Sequence, residues 1–189
     1  PGYWLLTLGL TLSQLCMNGV LFNVIAYLQK SGYAATDAIR IYGIANLMSL
    51  PGLLVGGYIS DRTGGRIVLP VVLALQAAGT AMLLGVGVAA WDRLAIIGFI
   101  AIWGSISGLP AQGGAMVLGE MIGQRAYPAM LGIVFTVTGV VGALAPVLMG
   151  WLYAATGGYA WPIALLVLLT LLAMLTVLAA TAGRPSPAS

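Results

Sequence analysis

The chain has no histidine and a single cysteine, and only 6% of its 189 residues are charged. Each shortage removes a class of function. Without His there is no imidazole base to activate a serine or cysteine nucleophile, and no imidazole ligand for a catalytic zinc. Ser105 and Ser107 beside Gly108 hint at an intramembrane serine protease, but the general base is missing. One cysteine, Cys16, closes no intramolecular disulfide and builds no thiolate metal site. The four acids Asp37, Asp61, Asp92 and Glu120 stand apart at the ends of apolar runs, so no buried aspartyl pair is expected. The inventory predicts no enzyme, no metal and no cofactor. The seven basic residues give a net charge of +3. They form no stripe that could follow a phosphate backbone, which argues against nucleic acid as a partner. A soluble domain carries about 25% charged residues, so a soluble globular fold is excluded as well.

What the chain has in quantity is apolar surface: 61% of residues are hydrophobic and the mean hydropathy is +1.06. That excludes disorder, and the 27 glycines follow no collagen-like period. A chain opening on Pro1 is expected to be a fragment or a processed product. A bilayer core of ~30 Å needs about 20 apolar residues in a helix. Uncharged runs of that length predict spans over residues 4–28, 41–60, 67–91, 94–119, 129–154 and 161–181, followed by a short polar tail at 183–189. The last two spans share one uncharged stretch, divided where Thr156-Gly157-Gly158-Tyr159-Ala160-Trp161-Pro162 breaks the pattern. The expected fold is all-α, a polytopic bundle of six transmembrane helices. The ~10-residue alternating segments of a transmembrane barrel are missing, and the first span is too long and lacks the basic flank of a signal peptide.

Tyr3, Trp4, Tyr27, Tyr42, Tyr58, Trp91, Tyr127, Tyr153, Tyr159 and Trp161 fall near span ends, where amphipathic rings favour the membrane interface. Trp103 sits mid-span and is expected to pack against a neighbouring helix. With the N-terminus cytoplasmic, the inner side holds Arg62, Arg66, Arg125 and Arg184 against Lys30, Arg40 and Arg93 outside. The positive-inside bias favours that orientation by one residue.

Between the second and third spans the chain reads Gly57-Tyr58-Ile59-Ser60-Asp61-Arg62-Thr63-Gly64-Gly65-Arg66. Gly57 allows close helix approach, Asp61 can accept from Arg62 or meet the positive end of a helix, and Gly64-Gly65 supplies a tight turn. The segment resembles the signature loop of the major facilitator superfamily, G-x-x-x-D-R-x-G-R-[KR], which lies on the cytoplasmic side between the second and third helices of each six-helix half. Gly57, Asp61, Arg62, Gly64 and Arg66 match, whereas Gly65 stands where a basic residue is usual. Residues 132–146, with Gly150 and the Thr156-Gly157-Gly158-Tyr159 turn, are similar to the family's penultimate helix. Residues 3–66 look most like bacterial carriers of the monocarboxylate or oxalate–formate group. That group often places an Arg eight residues before the loop Asp to meet a substrate carboxylate, and here the position is Leu53.

The resemblance implies that residues 1–182 form the C-terminal half of a twelve-helix secondary carrier. Its partners would be a small-molecule solute, the lipid bilayer and an N-terminal six-helix half, on the same chain or another. It also implies a plasma membrane, bacterial inner membrane if the source is bacterial, with both ends of the segment cytoplasmic. Intramembrane polar residues mark cavities or helix contacts. Gln14 and Asn18 lie i,i+4 on the first span, and Ser105 and Gln112 lie i,i+7 on the fourth with Pro110 between them. In the family the first and fourth helices line the central cavity, which makes these four the candidate substrate contacts; interhelical hydrogen bonding is the competing use. Asn23, Asn46 and Gln76 are further single polar residues. Gly52-x-x-x-Gly56 and Gly104-x-x-x-Gly108 are expected to be packing faces. The expected function is transport of a small solute, an organic anion among the classes to screen, by alternating access. A structural or channel-type subunit is the alternative, although no filter-like segment or charged ring is present.

Overall fold

A computed structural model describes residues 2–122 and 126–182. Arg125, Arg184 and the expected tail at 183–189 lie outside the described residues. All regular structure among the described residues is helical. Among the described residues six helices are long and apolar enough to cross a membrane: α1 Gly2–Lys30, α2 Ala35–Thr63, α3 Gly65–Gly85, α4 Asp92–Ile122, α5 Tyr127–Thr156 and α6 Ala160–Thr181. The chain is an integral membrane protein with an all-α, six-helix fold. Helices are the outcome because hydrocarbon offers the backbone no hydrogen-bond partner, so each segment must satisfy its own amides.

Several helix ends differ from those marked by charge. Helix α2 starts at Ala35 and runs through Asp37 and Arg40, which pair at 3.6 Å on its first turns. Charged residues continue a helix into the interface rather than ending it. Helix α3 stops at Gly85, short of the expected residue 91, because Gly87 adopts a positive φ of 85°. The chain then turns through Trp91 before Asp92 opens α4.

Two helices are interrupted internally. Helix α4 loosens into π-helical turns over Phe99–Gly104 and breaks at Ser107-Gly108, just before Leu109 and Pro110. Proline has no amide hydrogen for the ladder. Helix α5 breaks in the same way at Leu144, before Pro146. The turn expected after α5 forms at Gly157, whose φ of 71° is open to glycine and strained for other residues.

The core is built by α1, α3, α4 and α6. One cluster gathers Cys16, Val20, Phe99, Trp103 and Leu166, and a second gathers Leu6, Leu69, Leu73, Val117 and Val177. Trp103 is fully buried and stacked on Phe99, ring centroids 5.1 Å apart. Helix α2 stands at the edge and buries only Ala38, Ala45, Gly56 and Ser60. It is held to α4 by backbone contact. A methyl group added at Gly52 would lie 1.8 Å from the Ser105 carbonyl oxygen, and one at Gly104 would lie 2.5 Å from the Ala45 carbonyl oxygen. Gly56 and Gly108 are similarly overlain by Leu109 and Leu53. The two glycine pairs read from the sequence therefore face each other across one α2–α4 seam, where small residues let the backbones touch.

Candidate functional site

The α2–α3 junction brings charged and backbone groups of three helices together. Helix α2 ends at Thr63, Gly64 turns with φ 84°, its N–H donating to the Ser60 carbonyl at 2.9 Å, and α3 begins at Gly65. The last turns of α4 deliver Glu120 to this point. Its Oε1 accepts the Gly65 N–H at 3.0 Å, and its Oε2 lies 3.0 Å from Arg66 Nε. A carboxylate placed on the first amides of a helix satisfies a donor the helix cannot and complements its positive end. The two side chains are shielded from solvent, 17% exposed for Arg66 and 25% for Glu120.

Gly65 departs from the basic residue expected at that place, and it packs closely on α4. A Cβ there would sit 3.1 Å from atoms of both Met116 and Val117 on α4, so a side chain at this position requires α4 to give by a few tenths of an ångström. Ser60 Oγ adds a further link to α4, donating to Met116 Sδ at 3.0 Å.

Asp61 and Arg62 are placed differently from Arg66. Both are exposed. The Arg62 guanidinium lies 4.3 Å over the Tyr58 ring, a cation–π contact rather than a bond to Asp61. The acid that holds the junction is thus Glu120. Its partner Arg66 lies fifty-four positions away in the chain.

The four mid-span candidates fall into two pairs on different seams. Gln14 Nε2 donates to Asn18 Oδ1 at 3.2 Å. The Asn18 amide and the Gln14 stem lie against Gly142 of α5, where an added methyl would be 2.8 Å from Asn18 Nδ2 and 3.1 Å from Gln14 Cγ. Ser105 and Gln112 instead point toward α2. The Ser105 hydroxyl donates to its own helix at the Ala101 carbonyl, 2.7 Å away, and the residue lines an apolar cavity between α2, α3 and α4. The Gln112 amide is exposed and reaches the signature loop, its Nε2 3.2 Å from where a Gly57 Cβ would be. Leu53, the position of the absent arginine, packs over Gly108.

A buried polar pair carries more hydrogen bonds than any of these. Ser13 Oγ donates to Gln76 Oε1 at 2.7 Å, and Gln76 Nε2 donates back to the Ser13 carbonyl at 3.0 Å. Gln76 is fully buried and its carbonyl accepts from the Thr80 hydroxyl at 2.8 Å. This pair ties α1 to α3. Gln76 was visible in the sequence as a lone polar residue, but Ser13 was not marked.

At the opposite end of the bundle the α1–α2 and α3–α4 loops meet. Asp92 accepts from the Gly87 N–H at 2.8 Å and from the Tyr33 hydroxyl. Burial, then the Asp92 hydrogen bond, push the Tyr33 phenol up to about 12. Among the described residues no three His, Cys, Asp or Glu side chains converge as a metal site would require. No protein-family model matches the chain, and no curated protein matches it in sequence.

Proposed function

We propose that the chain works as one six-helix half of a secondary carrier of the major facilitator type. In this reading it is a carrier rather than an enzyme, moving a small polar solute by alternating access. The observation that carries the reading is the α2–α3 junction. The signature residues Gly57, Asp61 and Arg62 on the last turns of α2, Gly64 at the turn and Arg66 on the first turn of α3 join the second and third of six helices, and a fourth-helix carboxylate bonds to that junction. A structural subunit has no need of a charged, cross-braced loop there.

Two further features fit. Leu47, Leu50 and Leu54 on α2, and Val140, Val147 and Trp151 on α5, are exposed apolar side chains that a second six-helix half would cover. Gln14, Asn18 and Gln112 are neutral donors and acceptors, suited to orienting a polar ligand rather than neutralising a charge. The signature loop then lies on the cytoplasmic face, with both ends of the segment cytoplasmic, in a plasma membrane such as the bacterial inner membrane.

The test is counterflow in proteoliposomes of the whole native polypeptide, screened with small organic anions and neutral polar solutes. Saturable exchange that is lost in Gln14→Ala or Gln112→Ala supports the carrier and the solute contacts together. The native polypeptide should also have about twice the 19.4 kDa of these residues. Absence of exchange for every class, with a native mass near that of these residues alone, refutes the single-chain carrier.

A further inference from the structure

The cavity that Ser105 borders, about 480 Å³, is a groove open along the membrane-facing side of α2 and α3. Its walls are Val55, Ile59 and Thr63 on α2 and Ile67, Val71 and Leu75 on α3, with Ile106 of α4 as the floor. Its two hydroxyls are already committed, Thr63 donating to the Ile59 carbonyl at 2.8 Å and Ser105 to that of Ala101 at 2.7 Å. A polar solute would find no partner there. From Thr63 back to Pro51 the groove follows α2 for about 18 Å at the helical rise. That is close to the ~15 Å depth of one bilayer leaflet. It runs from the interface to the midplane, the path of one acyl chain.

Charge stands at one end only. Arg62 adjoins Thr63 at the mouth, exposed and lying over Tyr58, itself 57% exposed. No acid faces the mouth from α2 or α3 except Asp61, next to Arg62 in the chain, and Glu120 is already engaged by Gly65 and Arg66. Leu50 and Leu54 lie on another face of α2, so a helical partner seated on them leaves the groove open. We propose that this groove binds an anionic phospholipid, one acyl chain along Val55, Ile59 and Val71 and the phosphate at Arg62. An exposed arginine at the headgroup level, beside an apolar groove, attracts the phosphate of an anionic lipid. The proposal needs only that the helices span a bilayer, and it stands apart from the carrier reading.

Native mass spectrometry of the whole polypeptide in detergent tests it, with phosphatidylglycerol and phosphatidylcholine of identical acyl chains as probes. One arginine near an anionic lipid is worth a factor of about five in retention, so phosphatidylglycerol should be held roughly that much more strongly. Arg62→Gln should bring the two lipids level while leaving phosphatidylcholine retention unchanged. Val55→Trp and Val71→Trp, both at exposed positions, should fill the groove and lower retention of both lipids, with helical circular dichroism unaltered. Equal retention of the two lipids by the unmodified protein overturns the proposal. So does a preference that survives Arg62→Gln, retention untouched by both tryptophans, or no retained lipid because another part of the protein covers the groove.

Discussion

Removing the Glu120 carboxylate tests whether the α2–α3 junction is held as its geometry indicates. Glu120→Ala deletes the acceptor of the Gly65 N–H and the partner of Arg66 Nε, both at 3.0 Å. Full Coulomb attraction at that distance would overstate the effect, because both side chains retain some contact with solvent and the reorganised loop would rehydrate. A hydrogen bond to a charged group contributes about 1.5–3 kcal/mol, and that is the expected loss. Every 1.4 kcal/mol is about tenfold in an equilibrium constant, so the junction should open roughly 10- to 150-fold more often. Hydrogen exchange in detergent, read on peptides covering residues 64–68, measures that opening directly. Glu120→Gln keeps a carbonyl for the Gly65 amide and should give an intermediate acceleration. Exchange at the opposite end of the bundle, on peptides covering residues 31–36, should not change. Unaltered exchange at 64–68 in Glu120→Ala would refute the claim that this carboxylate holds the turn.

Cys16, fully buried, is an internal reporter of bundle stability: a thiol-reactive fluorophore reaches it only when the bundle opens. Gly52→Ala drives a methyl to 1.8 Å from the Ser105 carbonyl oxygen, and with backbone on both sides the helices must part. The cost should reach at least the ~1–3 kcal/mol of core overpacking and lower the labelling midpoint, whereas Gly139→Ala, with nothing within 4 Å, should leave it level or raise it. Ser13→Ala strips Gln76 Oε1 of its donor and should cost about 0.6–1.7 kcal/mol, the range for hydrogen bonds between membrane helices. Replacing Gln76 by Met in the same variant should return part of that loss, and a further loss would argue against the pair. Tyr33 is protonated more tightly in the folded loops than the ordinary value of 10.0. Its contribution to the loop junction is therefore complete below pH 10 and lost as pH rises through about 12. Phenolate absorbance in alkaline titration should lose one late-titrating tyrosine in Tyr33→Phe.

Secondary structure was legible because charge is so scarce that uncharged runs declare the first four spans and the Gly157-Gly158 break divides the last two. The ends were less so, since Asp37 and Arg40 sit within the first turns of α2 and Gly87, not a charge, terminates the approach to α4. The glycine pairs of α2 and α4 were legible as packing faces because small residues at i,i+4 leave the backbone bare on one side. Gln14 and Asn18 were legible as neighbours for the same reason of spacing, and they do hydrogen-bond. What spacing could not give was direction. In a helix that is apolar all round, no amphipathic stripe says which neighbour a face meets. Ser105 and Gln112 therefore share a helix with no sign in the sequence that they turn toward α2 rather than toward Gln14 and Asn18. Gly65 carried no packing signal in the sequence, and only the fold brings Met116 and Val117 to within 3.1 Å of where its Cβ would be.

The junction also divides the signature residues by task. Gly64, Gly65 and Arg66 are consumed within this six-helix unit, by the turn, by α4 packing and by Glu120. Asp61 and Arg62 face outward, and Gln112 lies beside Gly57 on the adjoining seam. A conformational change can be driven only by contacts that differ between two states. If two halves rock as rigid bodies, the differential contacts of this loop must come from Asp61 and Arg62, with Glu120 bracing the loop in both states. Asp61→Asn should then alter exchange rates in counterflow while leaving the Cys16 labelling midpoint where it was. Glu120→Gln should do the reverse, moving local stability first. Should Asp61→Asn destabilise the isolated bundle as much as Glu120→Ala does, the division is wrong and the loop acts as a single structural brace.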